Sequence, residues 1–145
     1  VKESISNALT ILSADLKTNN IDLDLKFDTF EEVEIFGVKS EFTQVILSII
    51  SNAIDVLKNI ENPKIKILVF SNSAEVTISL ADNGGGIKSK NIKKIFEPYF
   101  STKEQGFGIG LYLSKMIIEE SFAGKISVEN QKEGAVFSLF IEKAL

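Results

Sequence analysis

Two clusters of glycine are the first feature whose spacing indicates chemistry. Nine glycines occur in the chain, and six of them lie at residues 84–86 and at Gly106, Gly108 and Gly110. Turn chemistry alone can explain a glycine-rich loop, because glycine accepts positive φ angles. The second cluster directly precedes an apolar helical pattern, where unpaired backbone N–H groups and the helix dipole attract anions. The sequence therefore predicts a phosphate site there, although G-x-x-x-x-G-K-[ST] and G-x-G-x-x-G are both absent.

Polar side chains at two further places fit a magnesium–nucleotide site. Ser48, Asn52 and Asp55 form a polar stripe beside the apolar arc of a predicted helix, where polar groups need partners. The stripe can be an ordinary solvated helix edge. An amide oxygen such as that of Asn52 is also a suitable ligand for Mg²⁺, which keeps several waters and is shared with phosphates. Asp82 ends a predicted strand before the first glycine cluster, where an Asx turn is the simplest interpretation.

The composition excludes several kinds of chemistry. The 145 residues are 44% hydrophobic and 25% charged, which is typical of one globular domain. The chain has neither cysteine nor histidine, and all its basic residues are lysines, which excludes thiolate chemistry, histidine acid–base catalysis and an arginine finger. A net charge of −4, spread along the chain, offers no basic footprint for nucleic acid. Because the chain begins at Val1, we expect a piece of a longer protein.

Apolar periodicity predicts the elements that would position these residues. Apolar residues at helical spacing predict an opening helix of about four turns, which ends at Asn19 and Asn20. Alternation over residues 21–27 predicts a strand, and residues 33–37 predict a short second strand that pairs with it. A long helix is predicted from Ser40, its expected N-cap, to about residue 59.

The second half of the chain alternates between strands and one further helix. Residues 65–69 and 76–80 predict an antiparallel hairpin, and a functional loop is expected over residues 82–108. A helix carrying Ile109, Leu113, Met116 and Ile117 follows, and two closing strands lie around the turn at Glu133-Gly134. The pattern favours an α/β sandwich with one mixed, mainly antiparallel sheet.

Four segments resemble the sequence boxes of a known family. QVILSIISNAIDVL at residues 44–57 resembles the N box, DNGGGI at 82–87 the G1 box, IFEPYFSTK at 95–103 the F box, and GFGIGL at 106–111 the G2 box. Together they resemble the ATP-binding catalytic domain of sensor histidine kinases, within the superfamily that includes DNA gyrase and Hsp90. The resemblance covers nearly the whole chain. It implies one catalytic domain over residues 1–145 with the Bergerat fold, in which about three helices cover one face of the sheet.

The resemblance also implies a role for individual residues toward ATP and Mg²⁺. Asn52 matches the Mg²⁺ ligand, and Asp82 matches the carboxylate that receives the adenine amino group. An ionised carboxylate only accepts hydrogen bonds, so adenine should be preferred to guanine. The other implied nucleotide contacts are Asp55 through water, Gly84, Gly86 and Ile87 of the G1 box, Phe96 as an anchor of the ATP lid, Lys103 at the γ-phosphate as a second catalytic residue, and Gly106, Gly108, Gly110 and Leu111 of the G2 box.

Two of these assignments have simpler alternatives. Phe96, together with Tyr99 and Phe100, can be plain core, and Lys103 can be a solvated lysine of the lid. Ser48 stands where superfamily members that hydrolyse ATP carry a glutamate base, so efficient ATP hydrolysis is not expected. Histidine phosphorylation needs no such base, because a neutral imidazole nitrogen is already nucleophilic and only positioning and charge neutralisation are required.

The function implied by the resemblance is transfer of the γ-phosphoryl group of Mg-ATP to a histidine in two-component signal transduction. The acceptor would lie on a separate dimerisation domain, normally N-terminal in the same polypeptide, and a response regulator is the further partner. Two alternatives are an anti-sigma-type protein-serine kinase and a non-catalytic ATP-sensing or docking module. We expect a monomeric, cytoplasmic fragment that contacts neither nucleic acid nor membrane directly, whether or not the parent protein is anchored in a membrane.

Overall fold

One mixed sheet organises the residues that the computed structural model describes, which are 1–28, 32–98 and 110–144. In these ranges five strands lie in the order β1-β2-β3-β5-β4. β1 and β2 are parallel, and every other neighbouring pair is antiparallel. The strands are β1 (Asp22–Asp28), β2 (Lys64–Ser71), β3 (Glu75–Asp82), β4 (Lys125–Asn130) and β5 (Ala135–Glu142).

Helices cover one face of this sheet. In β2 the buried residues Ile65, Ile67 and Val69 alternate with the exposed Lys64 and Lys66, as expected when one face packs on a core and the other meets water. The helices are α1 (Lys2–Ile11), α2 (Ser13–Thr18), α3 (Lys39–Leu57), α4 (Ser89–Ile92) and α5 (Gly110–Met116), the last continuing into a π-helical segment (Ile117–Ser121). This is the α/β sandwich predicted from the sequence.

α3 supplies the largest part of the core. Its apolar arc was predicted correctly and is buried at Phe42, Val45, Ile46, Ile49, Ile50, Ala53, Ile54 and Leu57. The predicted N-cap at Ser40 is wrong, because the helix begins at Lys39 and Val38 precedes it in an extended conformation without a side-chain cap. An ion pair between Lys39 and Glu3 joins this first turn to α1.

The opening helix is divided into two. Its predicted apolar residues are on the core side, but Leu12 leaves the helical conformation with ψ near 4° and separates α1 from α2. Side-chain oxygens beside the break bond to backbone carbonyls: Thr10 Oγ1 donates to Ser6 at 2.9 Å and Ser13 Oγ to Thr10 at 2.8 Å. Such local bonds compete with the helical pattern and bend helices.

The predicted strand over residues 33–37 is wrong. Residues 32–35 have no regular structure, and β1 pairs with β2 instead. The backbone of this segment bonds to the chain ends: the Val33 carbonyl accepts from the Val1 amine at 3.2 Å, and the Glu34 carbonyl accepts from the Ala144 N–H at 2.8 Å. Its carbonyl groups therefore have partners outside the sheet.

The remaining elements largely match their predictions. β2 and β3 form the predicted hairpin, and the Asn72 side chain accepts the N–H groups of Ala74 and Glu75 at 2.8 Å in the turn. β4 and β5 form the closing hairpin. The last helix buries a different face from the one that its apolar pattern predicts. Leu113 of that pattern is 44% exposed, whereas Ser114 is buried and its hydroxyl donates to the Gly110 carbonyl. Within the described ranges, no helix combines the length and apolarity needed to cross a membrane.

The burial of α3 leads to a stability prediction. Ile46 is fully buried and Ile11 is 63% exposed, so one substitution can be compared in two environments. Ile46→Ala is expected to lower the free energy of unfolding by about 2–5 kcal/mol through lost burial and a cavity, and Ile11→Ala to change it by less than about 0.5 kcal/mol. Urea denaturation of both variants tests this expectation. Equal losses would contradict the inward placement of Ile46.

Candidate functional site

One face of α3 carries a row of residues that runs from the first glycine cluster to the start of α5. Ser48, Asn52 and Val56 are four residues apart, so their side chains lie above one another on the same face. Ser48 and Asn52 are half-buried, and Val56 is 42% exposed although apolar. At 1.5 Å per residue the row is about 12 Å long. It forms the floor of the candidate site and is called the α3 row below.

The first glycine cluster lies against the Val56 end of the α3 row. A Cβ atom added to Gly84 would come within 3.0 Å of Val56 Cγ2 and 3.3 Å of the Val56 carbonyl oxygen. These contacts are tighter than most real Cβ contacts, so a larger residue would force Val56 to shift, and glycine favours this approach of loop to helix. Gly85 and Gly86 follow with φ angles of +89° and +84°, which other residues adopt only under strain.

The start of α5 lies at the opposite end of the α3 row. A Cβ added to Gly110 would meet Ser48 Oγ at 3.7 Å, which is ordinary van der Waals contact. Ser48 Oγ also accepts a hydrogen bond of 3.4 Å from Gln44 Nε2. Leu111, in the same first turn of α5, is half-buried and packs against the core. Asn52 therefore lies between the first glycine cluster and Gly110 at the start of α5.

Asp82 is the charged group at the Val56 end. It is half-buried at the end of β3, and its Oδ1 accepts the Gly84 N–H at 2.9 Å. Burial raises the pKa of Asp82, while hydrogen bonds from the backbone N–H groups of Gly84 and Ala135 act in the opposite direction. The result is a carboxylate that is partly removed from water and held by the N–H of Gly84, the residue that lies against Val56.

Gly134 is part of this end of the site and was not assigned to it from the sequence. A Cβ at Gly134 would lie 2.8 Å from both the backbone carbon and the Oδ1 atom of Asp82. The sequence placed this glycine only in a turn between two strands. No local signal distinguishes a turn glycine from one that another strand approaches, because the contact joins residues far apart in the chain. The pairing of β5 with β3 brings the two together.

Phe96 lies on the sheet side of the segment after α4. Its ring meets that of Phe137 edge to face at a centroid distance of 6.2 Å, and Lys115 Nζ stands 5.7 Å from the Phe96 centroid. Both contacts are stabilising arrangements for an aromatic ring. Phe96 thus packs partly as core and also joins this segment to α5. Tyr99 and Phe100, named with it in the sequence, lie outside the described residues.

The residues available to a metal ion are oxygen donors of α3. Asn52 presents an amide oxygen, and Asp55 Oδ1 lies 3.5 Å from Lys58 Nζ and has further interactions. Among the residues with described coordinates, no group of three or more His, Cys, Asp or Glu could hold a metal. The donor set therefore suits an ion such as Mg²⁺, which binds through few protein ligands and otherwise through water and phosphate.

The sequence-predicted residues fall into two groups. Nine of them lie in described segments, at the places given above or, for Ile87, at the end of the loop after β3. These nine are Asn52, Asp55, Asp82, Gly84, Gly86, Ile87, Phe96, Gly110 and Leu111. Lys103, Gly106 and Gly108 lie outside the described residues. The structure brings Asp82, Gly84, Asn52 and Gly110 to one face of α3, and the contact of each with nucleotide remains a prediction.

Comparison with known proteins gives consistent matches. A family model described as "Histidine kinase-, DNA gyrase B-, and HSP90-like ATPase" matches residues 37–145. The sensor histidine kinase ZraS of Escherichia coli (strain K12) is 33% identical over 141 residues, which cover 94% of this chain and 29% of ZraS. The catalytic domain of histidine kinase ThkA is 33% identical, with a TM-score of 0.89, and the match covers 99% of this chain and 92% of that one.

A second structure, of histidine kinase ThkA in complex with the response regulator protein TrrA, matches at 30% identity and a TM-score of 0.85. That match covers 99% of this chain and 40% of the other. The chain spans less than a third of the length of the curated relatives it matches. The family resemblance seen in the four boxes is confirmed. The chain belongs to the family of histidine kinase-, DNA gyrase B- and HSP90-like ATPases, as an ATP-binding catalytic domain of the sensor histidine kinase type.

Proposed function

We propose that residues 1–145 bind Mg-ATP along the α3 row and donate its γ-phosphoryl group to a histidine on a separate dimerisation domain. The observation that carries the proposal is the order of groups on one helix face. A carboxylate and an apolar surface lie at one end, an amide oxygen lies in the middle, and the start of the last helix lies at the other. This order corresponds to the order of base, metal-bound phosphates and terminal phosphate in ATP.

At the Val56 end, the chain offers what an adenine ring requires. The half-exposed Val56 side chain and the Gly84 backbone form an apolar edge beside Asp82. An ionised Asp82 can accept the exocyclic amino group of adenine but would face the carbonyl oxygen of guanine, which donates nothing. The Gly84 N–H, which donates to Asp82 Oδ1 at 2.9 Å, orients the carboxylate before nucleotide arrives, so less ordering is needed on binding.

In the middle of the α3 row, Asn52 would hold a Mg²⁺ ion together with phosphate oxygens and water. When bound, the ion neutralises charge on the phosphates and so assists their transfer. Asn52 suits this role because it borders the buried apolar arc of α3 and is itself half-buried. The side chain is thereby fixed in direction without being enclosed.

The chemistry of transfer needs no base from this chain. Ser48, bonded to Gln44 Nε2, is not a proton acceptor strong enough to activate water. A neutral imidazole nitrogen of the acceptor attacks the γ-phosphorus, the bond from phosphorus to the bridging oxygen breaks, and ADP leaves with that electron pair. This chain contains no histidine, so the acceptor is supplied by the dimerisation domain. A response regulator as the next acceptor is supported by the ThkA–TrrA complex.

Asp82→Asn tests the adenine end of the site. The amide presents a donor where adenine also donates, so the hydrogen bond to a charged acceptor is lost. We therefore expect the Kd for ATP to rise about 10- to 100-fold, which corresponds to the usual free energy of such a hydrogen bond. The free energy of unfolding should not fall, because the substitution removes a partly desolvated charge. Titration calorimetry with ATP and GTP measures the affinities. Asp24→Asn, on an exposed position of β1, is the matched control, and equal losses in both variants would contradict the assignment.

The pH dependence of ATP binding follows from the raised pKa of Asp82. Its usual value is 3.8, and burial raises it. Ionised Asp82 accepts the adenine amino group under this proposal. The affinity for ATP should therefore fall as the pH is lowered through the raised pKa of Asp82, at a higher pH than that at which ordinary aspartates are protonated. The free energy of unfolding changes with pH in the opposite direction. Because the folded chain keeps the Asp82 proton to a higher pH than the unfolded chain, protonation of Asp82 favours the folded state. This contribution is lost as the pH rises through the pKa of Asp82 in the folded chain.

Titrations of wild type and Asp82→Asn at several pH values separate this effect from the titration of ATP itself, which is common to both proteins. We expect the ratio of the two Kd values to approach one on acidification. A ratio that is independent of pH between about pH 4 and 7 would contradict the role of the ionised carboxylate.

Phosphoryl transfer tests the proposed activity as a whole. We expect wild type, supplied with a histidine-bearing dimerisation domain, Mg²⁺ and labelled ATP, to produce the acid-labile, base-stable label of phosphohistidine. Asn52→Ala should lower the transfer rate by about 100-fold or more through loss of charge stabilisation, and Ser51→Ala, on the exposed side of the same turn, should not. ATP binding without transfer would favour a non-catalytic ATP-sensing module, and an acid-stable product would favour a protein-serine kinase.

A further inference from the structure

The loop over residues 83–87 has few side chains of its own that could fix its conformation. Three consecutive glycines supply no side chains to pack, and two of them have positive φ. Glycine loses more conformational freedom on ordering than any other residue. The loop nevertheless has to present the groups around Asp82 in one arrangement. Its order must therefore come from groups outside the loop.

Asn130, the last residue of β4, binds the end of this loop. Its Oδ1 accepts the Ile87 N–H at 2.8 Å, and its Nδ2 donates to the Ile87 carbonyl at 2.7 Å. One side-chain amide thus satisfies both backbone groups of one residue, as a neighbouring strand would. The approach is close, because a Cβ at Gly86 would lie 2.7 Å from Asn130 Oδ1.

The same end of the β4–β5 hairpin also contacts the middle of the loop and Asp82, the residue before it. The Gly85 N–H donates to the Glu133 carbonyl at 3.1 Å, and Gly134 approaches Asp82 so closely that a Cβ there would lie 2.8 Å from Asp82 Oδ1. The hairpin end over residues 130–134 therefore contacts the middle and the end of the loop. Asn83, the first residue of the loop, bonds instead to the Lys64 N–H and the Asn62 carbonyl.

We propose that Asn130 is a positioning residue for the nucleotide. It holds residues 83–87 in the conformation that receives adenine, and so raises the affinity for ATP without itself contacting the base. This inference rests on the proposed function, because it assigns the loop to adenine. An ordered loop avoids the entropy cost of ordering on binding. A planar amide fits the role because it carries a donor and an acceptor side by side.

The experiment compares Asn130→Ala, Asn130→Asp and Glu129→Ala with wild type in the whole chain. Glu129 is the exposed residue before Asn130 and is the matched control. Titration calorimetry measures the Kd for Mg-ATP, and amide hydrogen exchange by NMR measures the protection of the Ile87 N–H. We expect Asn130→Ala to raise the Kd about tenfold and to increase exchange at Ile87, with the exchange of core amides in α3 and β3 unchanged.

Asn130→Asp keeps the acceptor for the Ile87 N–H and loses the donor, so it should recover part of the affinity and most of the Ile87 protection. Glu129→Ala should behave as wild type in both measurements. If wild type binds ATP and Asn130→Ala binds it equally well, the inference is overturned while the proposed function stands. Weaker binding with Ile87 still protected would also overturn it. Failure of wild type to bind ATP would instead overturn the proposed function.

Discussion

The approach of backbone to backbone at the end of β3 is the constraint on which the rest of the site depends. Gly84 lies on α3 so closely that a Cβ would meet Val56 Cγ2 at 3.0 Å, and Gly134 lies on Asp82 so closely that a Cβ would be 2.8 Å from its Oδ1. A Cβ at Gly134 does not fit, and a Cβ at Gly84 would force its neighbours to shift, so the segment at Asp82 is packed between a helix and a hairpin. This close packing accompanies the partial desolvation of the carboxylate.

Burial of α3 determines where the polar groups of the site point. Ile46, Ile49 and Ile50 are at most 1% exposed, and a helix with one face packed on a sheet cannot rotate about its axis without exposing that face. Asn52 is therefore held on the border between core and solvent by the residues opposite it. The hydrophobic core and the candidate metal ligand belong to one helix, so packing in the core controls the geometry of the chemistry.

Elements with a strong period were predictable from the sequence, and contacts between distant residues were not. The alternation in β2 and β3 and the apolar arc of α3 each reflect one buried face, which is a local property of sequence. The segment around Val33 also alternates, but its carbonyls bind the two chain ends, which no local pattern reveals. Asn52, Asp82 and the glycine clusters could be proposed from residue type and order. Gly134 and Asn130 could not, because their roles arise only when β5 pairs with β3 and β4 with β5.

The energetics of Asp82 connect stability with function. Removing a carboxylate from water costs free energy, which is why burial raises its pKa, and the N–H groups of Gly84 and Ala135 offset only part of that cost. In water the same carboxylate would be fully hydrated and would gain little from an additional donor. A half-buried carboxylate has lost part of its water and, under the proposed function, would gain more from the adenine amino group. The desolvation of Asp82 lowers the stability of the fold, and nucleotide binding as proposed, which favours the folded state, would offset that loss.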